Sequence, residues 1–266
     1  MEFLYLVPEW VIIIAIILIF TICAQLCFAI GKKHSGKVKD HEQVSILSGA
    51  LIGFLAFFLG FALVMAHGRF DAGEELLHQE INDINATYLN ADFLVEPYSR
   101  EMKLLLKEYT GLRVEYTKAI SRKEVEQIVA RTAVFHHRIW KEALVALEHS
   151  PSRHTDEFLS SLQNMLRDHE KLTTAKINHV PEEILWLLLV LSVMTIGTNS
   201  YRSGLKKESF TFLWAMFIFC ITITLFLIID LDRPRRGLMR IDQSGVMRLY
   251  ETMRQDLGES ACVQKH

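Results

Sequence analysis

The chain has 266 residues, half of them hydrophobic, with 29 Lys and Arg against 31 Asp and Glu for a net charge of −2. That balance excludes a globally basic nucleic-acid binder and an acidic, solvating disordered chain. The four cysteines, Cys23, Cys27, Cys220 and Cys262, have neither zinc-site spacing nor the pattern of a disulfide framework, and read as small apolar residues.

The apolar residues gather in four blocks around a charged middle. A bilayer core of roughly 30 Å needs about 20 helical residues. Trp10 to Ile30 supplies the first such run, uncharged, with Tyr5 and Trp10 placed for an interfacial belt. Met1 to Glu9 holds no Lys or Arg, and the run that follows is too long for a signal-peptide core, so the first span is expected to be retained. Val44 to Ala66 supplies the second span.

The middle is expected to be helical almost throughout. One segment continues out of the second span from His67 to about Phe93, and Pro97 breaks it. A second helix runs from Tyr98 to about Ile120, with Met102, Leu105, Leu106, Tyr109 and Leu112 on one side. Ser121-Arg122-Lys123-Glu124 has the form of a capping box and opens a third helix to about Glu148. A fourth, from Thr155 to Asn178, leads to Pro181. Ile184 to Tyr201 is the third span, polar toward its end at Thr195, Thr198, Asn199 and Ser200. Phe210 to Ile229 is the fourth, ended by Asp230 and Asp232. Strand-like alternation is absent. The expected fold is an all-α membrane protein with four transmembrane helices and a helical soluble domain inserted between the second and third. The divisions are 1–66, 67–180, 181–230 and a tail at 231–266.

Charge does not orient it. The short loops between paired spans carry Lys32, Lys33, Lys37, Lys39, Arg202, Lys206 and Lys207. The tail matches them with Arg233, Arg235, Arg236, Arg240, Arg248, Arg254 and Lys265, so the positive-inside rule ties.

At 100° per residue, Gly49, Gly53, Ala56 and Gly60 share a narrow arc of the second span. Continued past the membrane, the same arc takes His67, Asp71, Glu74 and His78, with Leu63 and Val64 beside it. Three readings fit. Small residues let helices pack closely in lipid, and the polar stretch is then a solvated face. Alternatively the arc faces the axis of a symmetric oligomer, as a small-walled pore with a polar vestibule. The third is a metal site, since His67, Asp71, Glu74 and His78 are ligand types. Four such residues along one helix, however, extend over more than about 15 Å and cannot close on one ion. His136 and His137 diverge by about 100° and do not chelate together. No zincin or nucleophile-elbow motif is present, so no enzyme activity, cofactor or resident metal is expected.

Three motifs carry a resemblance. Glu80-Ile81-Asn82-Asp83-Ile84-Asn85-Ala86-Thr87-Tyr88-Leu89 follows the second span, Glu108-Tyr109-Thr110-Gly111-Leu112-Arg113 lies in the next helix, and Leu231-Asp232-Arg233-Pro234-Arg235-Arg236-Gly237 ends the fourth span. Together they resemble the bestrophin-like family of prokaryotic membrane proteins over nearly the whole chain. Its distant relatives, the bestrophins, are pentameric ion channels with four spans per subunit and a pore neck lined by the second. The resemblance implies family-motif roles for Glu80, Asn82, Tyr88, Tyr109, Arg113, Asp232, Arg233, Pro234 and Gly237. It also implies an inner-membrane location with the helical domain and both termini cytoplasmic. The chain departs from bestrophins in the acidic cluster after the fourth span, reduced here to Asp230, Asp232 and Asp242, which puts calcium gating in doubt.

The expected function is a homo-oligomeric, plausibly pentameric, ion channel or pore. Its lining candidates are Gly49, Gly53, Ala56, Gly60, Leu63, Val64, His67, Asp71, Glu74 and His78. Its partners are the bilayer, copies of itself and inorganic ions, with no nucleic acid. The alternative is a non-conducting scaffold or signalling protein that binds a partner through its helical domain.

Overall fold

The computed structural model describes residues 9–35, 41–119, 122–149, 151–177, 181–207, 212–232 and 241–258. These residues form α1 (Glu9–His34), α2 (His41–Asn90), a 3-10 turn (Ala91–Phe93), α3 (Tyr98–Lys118), α4 (Arg122–His149), α5 (Arg153–Ile177), α6 (Glu182–Lys206), α7 (Phe212–Leu231) and α8 (Ser244–Asp256). No strand occurs among the described residues.

Four helices are long and apolar enough to cross a membrane, namely α1, α2, α6 and α7. At 50 residues α2 far exceeds what a bilayer needs. Its apolar stretch ends at Ala66, and the following turns are polar. The helix ends at Asn90, ahead of the 3-10 turn, and the Glu96–Pro97 peptide is cis before α3. Ser121 of the capping box lies outside the described residues, as do Arg233, Pro234 and Gly237.

The chain divides into two compact units. One comprises residues 1–71 and 179–241 and holds α1, the first part of α2, α6 and α7. Its core joins Phe20 and Ala24 of α1 with Leu55, Leu59, Ala62 and Ala66 of α2, Leu188 and Ile196 of α6, and Ile221, Leu225 and Ile228 of α7. The seam between α1 and α6 is the tightest in this unit. A Cβ at Gly31 would strike the Tyr201 carbonyl, and one at Gly204 the Phe28 carbonyl, so only glycine admits this approach. Cys23 and Cys27 continue the same line on α1, their sulfurs 3.5 and 3.2 Å from where a Gly197 Cβ would stand. Several neutral polar residues inside these spans are hydrogen-bonded. Ser48 Oγ donates to Asn199 Oδ1 at 3.3 Å, while Ser192, Thr195 and Thr222 each donate to the carbonyl four residues back.

The other unit comprises residues 72–178 and 242–266 and holds the end of α2 with α3, α4, α5 and α8. Its core joins Ile84 and Tyr88 with Met102, Leu106, Tyr109, Ile139, Ala143, Phe158, Leu162, Met165 and Met253. The tail helix α8 has no counterpart in the sequence expectations. It lies on α3, with Tyr250 packed over Gly111, whose missing Cβ leaves 3.2 Å to the ring. At its start Asp242 accepts hydrogen bonds from the Ser244 N–H and hydroxyl, both at 2.8 Å.

Candidate functional site

The two sides of α2 differ in kind. On a helical wheel, Ser48, Leu55, Leu59, Ala62 and Ala66 share one side, and all are buried in the first unit's core or hydrogen-bonded to α6. Gly49, Gly53, Ala56 and Gly60 lie about 120° away and are exposed. A Cβ built on Gly49, Gly53 or Gly60 would meet nothing within 4 Å. Among the described residues, no other helix of this chain packs closely on these three glycines. The intramolecular glycine packing sits instead at Gly31, Gly197 and Gly204. Of the two expected gate positions, Leu63 packs against the core, whereas Val64 is 73% exposed. Further along the open side, His67 Nε2 stands 3.4 Å from Asp71 Oδ2, and His78 Nε2 stands 4.0 Å from Glu74 Oε1. Each is an exposed pair within one helix, worth a few tenths of a kcal/mol at most. Among the described residues no group of three or more His, Cys, Asp or Glu could hold a metal ion.

The buried side of α2 carries a second constellation in the helical unit. Glu80 lies about 21 Å beyond Ala66 along the helix, outside the apolar stretch. It is fully buried, and a lone carboxylate there would cost several kcal/mol. Both of its oxygens are engaged. Arg113 Nη2 of α3 donates to Oε2 at 2.7 Å, and His169 Nδ1 of α5 donates to Oε1 at 2.7 Å. The Tyr109 hydroxyl stands 3.4 Å from Oε1 and 3.2 Å from His169 Nδ1. Since His169 Nδ1 spends its proton on the shorter contact with Glu80, the tyrosine donates to the carboxylate as well. His136 of α4 completes the cluster, its ring 4.6 Å from that of His169 and 5.2 Å from that of Tyr109.

The electrostatics follow from this geometry. Burial raises the Glu80 pKa, but the Arg113 charge and the His169 hydrogen bond outweigh it and hold the carboxyl down at about 2. Burial lowers that of Arg113, and Glu80 more than restores it. Tyr109 is held well above its ordinary value, by burial first and by Glu80 second. His136 is depressed to about 4 by burial and by the neighbouring His169. It receives no compensating partner: Nε2 is sealed from solvent without a hydrogen bond among the described residues.

Two further family-motif residues find structural places. The Tyr88 hydroxyl donates to Asp256 Oδ2 of α8 at 2.7 Å, and Lys103 Nζ reaches the same oxygen at 3.2 Å. Burial and this carboxylate keep the tyrosine proton in place. Asp232 is buried at the end of α7, while Asn82 is exposed on α2. Glu80, Tyr109 and Arg113 thus converge, Tyr88 serves the tail helix, and Asn82 joins neither group. Sequence reasoning missed His136, His169 and Asp256. The apolar phase of α4 and α5, which places His136 beside Ile139 and His169 beside Met165, was the available signal for the two histidines.

The described residues are helical, with four helices long and apolar enough to cross a membrane and a buried ionic cluster in the second unit, the make-up of a multi-span membrane protein. The Bestrophin-like domain profile matches residues 13–246, and the chain belongs to that family. The fold is also that of solved bacterial relatives. A tryptophan-to-alanine variant of a bacterial bestrophin homologue from Klebsiella pneumoniae matches with a TM-score of 0.70 at 13% identity, covering 92% of this chain and 97% of that one. An isoleucine-to-threonine variant of the Klebsiella pneumoniae homologue matches with a TM-score of 0.67 at 14% identity, covering 93% and 98%. A sequence comparison with curated proteins finds no match.

Proposed function

We propose that the protein is a homo-oligomeric ion channel or pore, pentameric by resemblance to bestrophins, with the open side of α2 lining the axis. One observation carries this reading. Gly49, Gly53 and Gly60 face open space rather than a neighbouring helix of their own chain. A continuous small stripe that its own subunit leaves uncovered fits a lumen-facing wall better than internal packing. Val64, exposed on the same side, is the narrowing candidate, and His67, Asp71, Glu74 and His78 would then ring the vestibule. Rings of carboxylates attract cations. In this reading the helical unit and both termini lie in the cytoplasm, the spans lie in the inner membrane, and lipid and sister subunits are the partners.

The test is reversal potential in a bi-ionic gradient across a planar bilayer holding purified protein. Changing Asp71→Asn with Glu74→Gln should move that potential toward reduced cation preference. Conductance with an unmoved potential would remove the acidic rings from the pore. Silence of the unmodified protein at every voltage would favour the second reading, a non-conducting scaffold. That alternative draws on the uncovered apolar residues of α4, Val129 and Val134.

A further inference from the structure

All four long helices of the second unit converge on one polar cluster: Glu80 from α2, Tyr109 and Arg113 from α3, His136 from α4 and His169 from α5. The cluster has one buried carboxylate, and its two oxygens are already taken by Arg113 and His169. His136 is the member left without an acceptor. Its Nε2 is sealed from solvent and unpaired among the described residues, its ring stands edge-on to His169, and Arg113 adds positive charge nearby. A proton added to His136 would thus sit beside the His169 ring and near the Arg113 charge, with both oxygens of Glu80 already engaged. We propose that His136 is an acid-operated latch, whose protonation releases α4 from α3 and α5 and opens the helical unit. This goes beyond ion conduction and does not depend on it.

The groups facing the latch are few. α3 presents Tyr109 and Arg113, α5 presents His169, and Glu80 stands behind them on α2. The ordering of titrations separates the latch from general acid unfolding. Burial holds the imidazole neutral down to about pH 4, whereas an opened unit binds the proton from about pH 6.5 downward. Between those limits, opening takes up one proton, so the opening equilibrium rises about tenfold for each unit that pH falls. Glu80 enters only at the acid end of this window, since its carboxyl stays ionised to about pH 2 folded and to about pH 4.5 unfolded. Asp83 and Asp168 share a hydrogen bond between α2 and α5, with burial and Asp168 holding the Asp83 carboxyl above its ordinary value. Protonating Asp83 relieves like charge there, so that pair resists acid opening.

The experiment is amide hydrogen exchange on the full chain in lipid nanodiscs, corrected for intrinsic rates, at steps from pH 7 to pH 4.5. Peptides within α4 and α5 report opening, and peptides within α1 and α6 serve as the reference. The expected result is roughly tenfold faster opening of α4 and α5 per unit below pH 6.5. His136→Gln should flatten that slope, and His136→Phe provides a second, apolar test should the amide destabilise the fold. Variants that follow the unmodified slope would overturn the proposal. So would a slope abolished by His169→Gln but untouched by either change at His136, because the trigger would then be the other imidazole.

Discussion

The glycines of the membrane unit fall into two sets with the same chemistry and opposite surroundings. Gly31 and Gly204 bring α1 and α6 so close that a single added carbon would collide with backbone carbonyls. A carbon added at Gly49, Gly53 or Gly60 of α2 would meet nothing within 4 Å among the described residues. The first set is explained by the fold of one chain. The second is not, and in the proposed channel it is the set that faces the axis. The same contrast runs along α2, where the side that buries Leu55 and Leu59 later buries Glu80, and the side that exposes Gly53 later exposes Asp71 and His78. Small residues in a span have no fixed meaning until the facing surface is known.

The contrast can be pressed hardest on the closed side. Arg113→Met strands the buried Glu80 carboxylate and should cost about 3–5 kcal/mol in denaturation of the detergent-solubilised protein. Combined with Glu80→Leu, it should recover most of that loss, because the ionic group and its partner are removed together. Gly204→Ala should cost about 1–3 kcal/mol by overpacking a backbone contact that cannot yield. Gly53→Ala, the matched change on the open side, should leave thermal stability within about 0.5 kcal/mol. An equal loss at both glycines would erase the distinction between the two sets.

Acid supplies a third test. The Glu80 carboxyl is lower in the folded than in the unfolded chain, so its stabilisation is complete above about pH 4.5 and fades toward pH 2. Arg113→Met should raise the native carboxyl and narrow that window. The smallest effect is expected at the tail. Asp256→Asn weakens the anchor shared by Tyr88 and Lys103 and should cost up to about 1 kcal/mol, read as faster amide exchange in α8 alone.

The helices and spans were legible because uncharged runs near 20 residues and period-3.6 apolar patterns are strong, local signals. α8 was missed because thirteen residues holding Val246, Leu249, Tyr250 and Met253 among charges look like a solvated tail until α3 offers them a surface. The stripe on α2 was visible, but whether another helix covers it is a tertiary fact that no period encodes. The motif residues Glu80, Tyr109 and Arg113 stood out in the sequence, yet their shared purpose depends on His169 and His136, 89 residues from Glu80 in the first case and on a different helix in the second. The burial of His136 could not be read from the adjacent pair His136 and His137, only from the phase of α4.

The most direct test of the central claim is single-particle imaging of the protein in nanodiscs, scored for subunit number and for the side of α2 that faces the axis. A closed ring with Gly53, Gly60, Asp71 and Glu74 around an open centre is the expected result. A monomer, or an oligomer in which that side of α2 is filled by a neighbouring helix, would contradict it.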